Sequence, residues 1–570
     1  MSTPLSSLSQ LLLTADSGAT VNARARAQAY DAIATQIPVV ARVNYQSDGY
    51  VLIIGTATAA DTAAQVLAAS PDLHICVLIT DSTQPAGTVE ENGPVRRIHG
   101  CADALTGYLG RFEIQTGNPL LATALQLSLP ADTPAFDLVL DLNDTPLIGS
   151  EVPPPGYYAP RGAGPTLKAA LEEIPTLTGE FEKPRYFRYN AAICAHGRSG
   201  VSGCTRCLWA CPTDAIISNG DVIQVNPNLC QGAGSCATAC PTGAITYGYP
   251  GMDETLGAWR GLLKAYRRAG GERPVLLVHD AHGGREALYD LLTSLSDRCL
   301  PVEVEELGSV GMDAWLAAIV WGADAVYLLS TPAVPASVQR EIDFQLSVAR
   351  DIIAGLGYSG DSLQCVAVDE LTVPDGPGTE TPLQQPGEFV ALDEKRTLIR
   401  LAVDHLAAQL SRPPLPVTLP AGAPFGEIRV DAERCTLCMA CVSQCPAHAL
   451  AAGDDSPQLR FVEANCVQCG VCSHSCPEQA IQLVSRFLYD HAQRSQLRIL
   501  NEDQPFCCIR CDKPFATRRV IELITDKMKQ HLMFSGDALL RLKMCEDCRV
   551  KDMLIDPSDE GPGLRPGGQA

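Results

Sequence analysis

CTLCMACVSQCP at residues 435–446 and CVQCGVCSHSCP at 466–477 repeat one spacing, C-x2-C-x2-C-x3-C-P. Three thiols set two residues apart wrap three corners of an inorganic cube, while the fourth lies beyond a helical turn and points at a second cube. By that crossover Cys435, Cys438, Cys441 and Cys476 are expected to hold one 4Fe-4S cluster, and Cys466, Cys469, Cys472 and Cys445 its neighbour. Zinc is the competing use of eight cysteines, but a tetrahedral site does not call for an x2-x2-x3-Pro pattern given twice. GEIRVD at 426–431 and LRFVE at 459–463 read as the strands that precede each half.

An altered version of the same device lies upstream. Cys204, Cys207 and Cys211-Pro212 match the last three positions of a run, and Val201 stands where the first cysteine belongs. Cys194 lies across the loop AHGRSGVSG, whose glycines let it curl back to fill the vacant corner. His196 is the other candidate for that corner, and a glycine-rich phosphate cradle is disfavoured because no P-loop Lys follows. The other half offers Cys230, Cys236 and Cys240-Pro241, with Ala233 at the missing second position. Crossover then predicts Cys194, Cys204, Cys207 and Cys240 around a 4Fe-4S cluster. Cys211, Cys230 and Cys236 make a three-thiolate set. That set suits a 3Fe-4S cluster, or a 4Fe-4S cluster whose last iron takes water or Ser235; loss of this cluster is the third option.

Cys508-x2-Cys511 and Cys545-x2-Cys548 are two knuckles around the helical stretch VIELITDKMKQHL, a pattern expected to close around one structural zinc. Cys507 beside the first knuckle is left open. Cys76, Cys101, Cys299 and Cys365 are isolated and are expected to be buried structural residues.

The chain has 570 residues, 24 of them cysteine, and a formal charge of -22. That length implies several domains. The acidic balance argues against nucleic acid as a partner and suits docking to a basic patch on a redox protein. No basic leader or long apolar run is evident, so a cytoplasmic protein without membrane insertion is expected. In a reducing compartment the spaced cysteines then read as metal ligands rather than disulfides.

The expected class is multidomain α/β plus α+β. An N-terminal α/β domain spans 1–150, a linker 151–190, the first βαββαβ dicluster module 191–250, and a flavodoxin-like α/β domain 251–410. A Pro-rich linker covers 411–425, the second module 426–490, the zinc-knuckle segment 500–556 and a flexible tail 557–570. Gly55-TATAA keeps one glycine of the dinucleotide fingerprint G-x-G-x-x-G and lacks the others, so a structural βα turn is expected there.

CAHGRSGVSGCTRCLWACPTDAI, CQGAGSCATACPTGAI, the two full runs and the ending CIRCDKPFAT…MCEDC together resemble the large proteobacterial 4Fe-4S ferredoxin-type proteins of formate dehydrogenase gene clusters, over residues 185–550. The first module is also similar to the seven-iron ferredoxins. Residues 273–372 resemble a hydrogenase delta subunit stripped of its cluster cysteines. The resemblance implies electron transfer to or from a formate dehydrogenase partner, or an accessory role in assembling one. An oxidoreductase subunit binding flavin or nicotinamide is a further alternative, and a homo-oligomer is compatible with all three. Metal analysis of anaerobically purified protein is expected to find about 15 Fe, from three four-iron clusters and one three-iron cluster, with about one Zn. Colourless, iron-free material would overturn the reading.

Overall fold

The computed structural model describes residues 20–554 apart from 33–39, 93–94, 132, 134, 163, 293, 373–384, 391–393, 455, 532 and 535; the expected tail at 557–570 lies outside the described residues. Two compact units emerge. One comprises the chain to Cys194 together with Thr205–Val417, and the other comprises Ala195–Cys204 with the chain from Thr418 onward. The architecture is mixed α/β with several small sheets.

In the first unit, YVLIIG, HICVLI and LVLD are apolar on both faces, as strands covered on both sides must be. They form strands Tyr50–Gly55, His74–Ile79 and Leu138–Asp141 of a six-stranded sheet. The sheet is parallel except for the edge strand Val89–Asn92, which pairs antiparallel with Val95–His99, and Tyr157–Tyr158 closes the opposite edge. Helix Ala57–Leu67 buries Ala60, Ala63, Ala64 and Leu67, one helical face laid on that sheet. A Cβ on Gly55 would sit 2.9 Å from Leu142 Cβ. Strand packing therefore accounts for this glycine without a nucleotide.

A second sheet in the same unit orders Cys299–Val304, Val275–Asp280, Ala325–Ser330 and Leu363–Ala367, all parallel. Helix Met312–Val320 is buried along its whole length, with Trp315 among the largest enclosed side chains. The first described helix, Val21–Asp31, packs on this sheet rather than on the first: Arg26 donates to the Ser296 and Cys299 carbonyls at 3.1 and 3.3 Å, and Tyr30 to that of Pro301 at 2.5 Å. Cys76 and Cys299 are buried, and burial pushes their thiols up to about 11 and about 12. Cys365 is only half-buried. Cys101 departs from expectation: it lies just past the end of strand Val95–His99, where the chain leaves the sheet, and is exposed.

Between these sheets in sequence, Phe187–Tyr189 pairs antiparallel with Ile245–Tyr247, and Ile216–Asn219 with Val222–Val225. Short helices Arg206–Ala210 and Ser235–Ala239 complete the pattern. The second unit repeats it. Gly426–Val430 pairs with Ile481–Phe487, Leu450–Ala452 pairs with Gln458–Phe461, and the helices are Ala440–Gln444 and Val471–His474. In the second unit a buried charge network fixes one ligand segment. Glu463 accepts from Arg486 at 2.9 and 2.6 Å and from Arg498 at 2.9 Å, while its own carbonyl accepts from the Cys466 N–H at 3.1 Å. Removing one partner of a buried ion pair strands the other charge. Glu463→Ala is therefore expected to cost about 3 kcal/mol in chemical denaturation of the second unit; a change within about 0.5 kcal/mol, the range of ordinary surface substitutions, would refute the network's importance.

Candidate metal centres

The ligand loops share an unusual backbone. The second and fourth residues after the leading cysteine take left-handed conformations in both full runs: Leu437 and Met439 at φ 54° and 60°, Gln468 and Gly470 at 55° and 84°. A non-glycine residue there costs about 1 kcal/mol, so its repetition signals a constraint beyond local preference. Gly232 and Gly234 stand at the same two positions after Cys230, at 87° and 78°. The half lacking its second cysteine thus keeps the loop shape of the complete ones. A further left-handed residue follows each terminal cysteine by three in all four halves: Asp214, Gly243, His448 and Gln479.

That geometry turns sulfurs inward. Cys435, Cys438, Cys441 and Cys476 line one small cavity in the second unit. Cys445, Cys466, Cys469 and Cys472 line another, walled by Ile428, Leu450, Phe461 and Leu483. Burial, then the charges of Cys435, Cys438 and Cys476, push the Cys441 thiol up to about 12. Cys469 also rises to about 12, through burial and then through Cys466, Cys445 and Cys204. Sulfurs that disfavour one another's charged forms around a shared cavity are a donor set suited to a cationic iron core. Backbone N–H groups already point at two of them, from Ala449 to Cys445 Sγ and from Ala480 to Cys476 Sγ, each at 3.3 Å.

In the first unit Cys207 and Cys240 are buried in one core with Cys194, Cys211, Cys230 and Cys236. Cys236 is enclosed, and burial followed by Cys230 and Cys211 drives its thiol well above the ordinary range. Thr213 and Thr242 hydroxyls lie 3.4 and 3.5 Å from Cys211 and Cys240 Sγ, where the second unit uses the main chain instead. Ser235, a candidate for the missing corner, is already engaged: its hydroxyl donates to the Ala210 carbonyl at 2.5 Å. His196 Nδ1 lies 2.9 Å from the Cys204 carbonyl, which can only accept, so that nitrogen carries its proton and is not a free ligand atom. Cys204 itself belongs to the second unit, two residues past a hairpin of Gly197–Arg198 with Val201–Ser202. Its place beside Cys194, Cys207 and Cys240 rests on chain spacing.

Sequence reasoning missed the groups that hold these segments from outside. Lys395 Nζ donates to the Ala237 and Thr238 carbonyls at the end of the Cys236 helix, and Gln345 donates to the same Thr238 carbonyl at 3.1 Å. Lys183 Nζ reaches the Cys230 carbonyl at 2.7 Å. Single lysines far from the cysteines in sequence carry no pattern that could have flagged them.

The sulfurs of Cys508, Cys511, Cys545 and Cys548 lie within 4.8 Å of one another. A hairpin of Pro505–Cys507 with Pro514–Thr517 presents the first knuckle, and the turn into helix Glu546–Leu554 presents the second. At Cys508 burial alone would raise the thiol, but backbone N–H groups of Cys545, Arg510 and Cys511 outweigh it and bring it down to about 6. Cys507 is exposed and stands outside the four.

A 4Fe-4S dicluster domain family matches residues 434–481, and a 4Fe-4S binding domain family matches residues 222–245. Hydrogenase-4 component A of Escherichia coli (strain K12) is 50% identical over 40 residues, which is 7% of this chain and 20% of that protein. The chain therefore spans about a fifth of the length of that relative. These matches support a large iron-sulfur protein with ferredoxin-type 4Fe-4S domains at residues 222–245 and 434–481. Neither reaches the tetrad at Cys508–Cys548, whose metal needs its own test. Chelation is expected to release about one Zn and to melt helix Arg518–Met528, lowering far-UV helicity while visible cluster absorbance stays. Helicity unchanged after complete zinc removal would rule out a structural metal there.

Proposed function

We propose that this chain is a multi-cluster electron carrier that passes electrons between a dehydrogenase-type partner and a second redox protein, and that it works in the reducing cytoplasm. The carrying observation is the left-handed ligand loop, present in both full runs and retained at Gly232 and Gly234 although Ala233 replaces a cysteine. Retention of that shape supports a cluster at Cys211, Cys230 and Cys236 rather than its loss, and the engagement of the Ser235 hydroxyl by the Ala210 carbonyl favours the three-iron form.

When bound, each cluster supplies reversible one-electron exchange. The chain's own residues set the conditions for it. Cys435, Cys438, Cys441 and Cys476, and Cys445, Cys466, Cys469 and Cys472, hold two cores by the crossover. Ile428, Leu437, Phe461 and Ile481 exclude water around the second module. Main-chain and hydroxyl donors meet the terminal cysteines, stabilising added negative charge on sulfur. Cys508, Cys511, Cys545 and Cys548 hold a zinc that organises the C-terminal segment.

The name of hydrogenase-4 component A places that relative within a hydrogenase, and the gene-cluster resemblance points to formate dehydrogenase. Both agree on a multi-subunit redox enzyme as partner, and formate dehydrogenase is the one proposed. Anaerobic protein should bleach on dithionite addition and develop EPR signals of reduced, mutually interacting clusters. It should also be reduced by the purified dehydrogenase with formate. Clusters that no reductant can reduce would refute the carrier role, and reduction by dithionite but not by formate and enzyme would refute the partner.

A further inference from the structure

Resting on the reading of Cys211, Cys230 and Cys236 as cluster ligands, we propose that Lys183 sets the reduction potential of that three-thiol centre and makes it the electron sink of the first module. Lys183 lies in strand Gly179–Pro184, which pairs antiparallel with Arg42–Ser47. Its ammonium donates to the Cys230 carbonyl at 2.7 Å and to that of Asn228 at 2.9 Å. Below it the Tyr45 ring centroid lies 5.0 Å away, and Tyr45 is itself anchored by donating its hydroxyl to the Asn228 carbonyl at 2.7 Å. The charge is thus held from two sides against the segment that carries Cys230.

Among the described residues no carboxylate pairs with this ammonium. The adjacent Glu182 alternates to the other face of the strand and is taken by Arg42 at 2.7 Å. A partly enclosed cation without an anion is costly. The negative group within its reach is the sulfur of Cys230, together with whatever charge Cys211 and Cys236 bring. In the second module the nearby guanidinium groups of Arg486 and Arg498 are instead neutralised by Glu427 and Glu463. Thr213 adds a hydroxyl 3.4 Å from Cys211 Sγ, a neutral donor acting in the same direction.

An unneutralised positive charge favours the form of the centre that holds one more electron. The electron comes from an external one-electron donor, dithionite in the test; no bond is made or broken and no proton is moved. The expected consequence is a higher potential here than at the fully ligated centres.

The test is a dithionite-mediated potentiometric titration followed by EPR on the full-length anaerobic protein. The centre's signal is assigned as the one that Cys236→Ala removes. Lys183→Met should lower the reduction equilibrium constant of that centre roughly tenfold, which is 59 mV for one electron, with the other centres unmoved. Lys183→Arg, which keeps the charge, should stay near the parent value. Equal potentials in parent and Met variant, or equal shifts in Met and Arg variants, would overturn the proposal. Loss of this centre's iron in both variants would also overturn it, by showing that the lysine acts through packing. Should Lys183→Met alone lose the centre while Lys183→Arg keeps it at the parent potential, charge is again supported. Parent protein without iron at this centre sinks the ligand reading itself, an outcome distinct from any shift.

Discussion

Crowding buried thiols together is unfavourable unless a cation joins them, and the rest of the structure answers to that constraint. Cys441, Cys469 and Cys236 are each held where ionisation is opposed by burial and by neighbouring sulfurs. A chain gains nothing from such sites as a metal-free protein, and it accepts left-handed backbone at Leu437, Met439 and Gln468 to build them. Strain placed at the same positions in successive halves marks loops shaped by an occupant rather than by their own preferences.

The two modules solve one problem with different surroundings. In the second, Glu427 and Glu463 absorb the charge of Arg486 and Arg498, so the polar scaffold around the ligands is closed and close to neutral. In the first, Lys183, Lys395 and Gln345 grip the ligand segments through carbonyl oxygens. Those two lysines bring positive charge to sulfur-bearing loops without a carboxylate partner among the described residues. The α/β sheets serve this arrangement as supports: Lys395 and Gln345 lie on helices Lys395–Ala408 and Ala336–Ala354, which accompany the parallel sheet through Val275–Asp280. A domain without cluster cysteines can still act on a cluster by supplying the groups around it.

The tetrad of Cys508, Cys511, Cys545 and Cys548 is built differently. Its knuckles direct backbone N–H groups at Cys508, bringing that thiol down to about 6, while contact with Cys511, burial and contact with Cys545 push the Cys548 thiol up to about 12, so one sulfur of the four is singled out for the charged form. Three of the four cysteines are buried in a small apolar cluster with Met544, so hydrogen bonds to sulfur supplement a core of few residues. Exposed Cys507 ends the hairpin strand, adjacent in sequence to Cys508 yet outside the group.

What the sequence alone determined is the chemistry: ligand type and spacing are local, and C-x2-C-x2-C-x3-C-P needs no tertiary knowledge to be read as two cubes. Strands such as YVLIIG and the face Ala60, Ala63, Ala64 and Leu67 were legible for the same reason, since periodicity is written within a few residues. The tertiary structure alone decided how the incomplete half behaves. Whether Ser235 could serve Ala233's missing corner depends on which way its hydroxyl turns, and that is set by the Ala210 carbonyl 25 residues away. Likewise helix Val21–Asp31 found its place on Ser296, Cys299 and Pro301, and Lys183 on Cys230, through pairings with no sequence signature. Contacts between residues distant along the chain are chosen by shape and charge after folding, so they leave no repeated spacing to read.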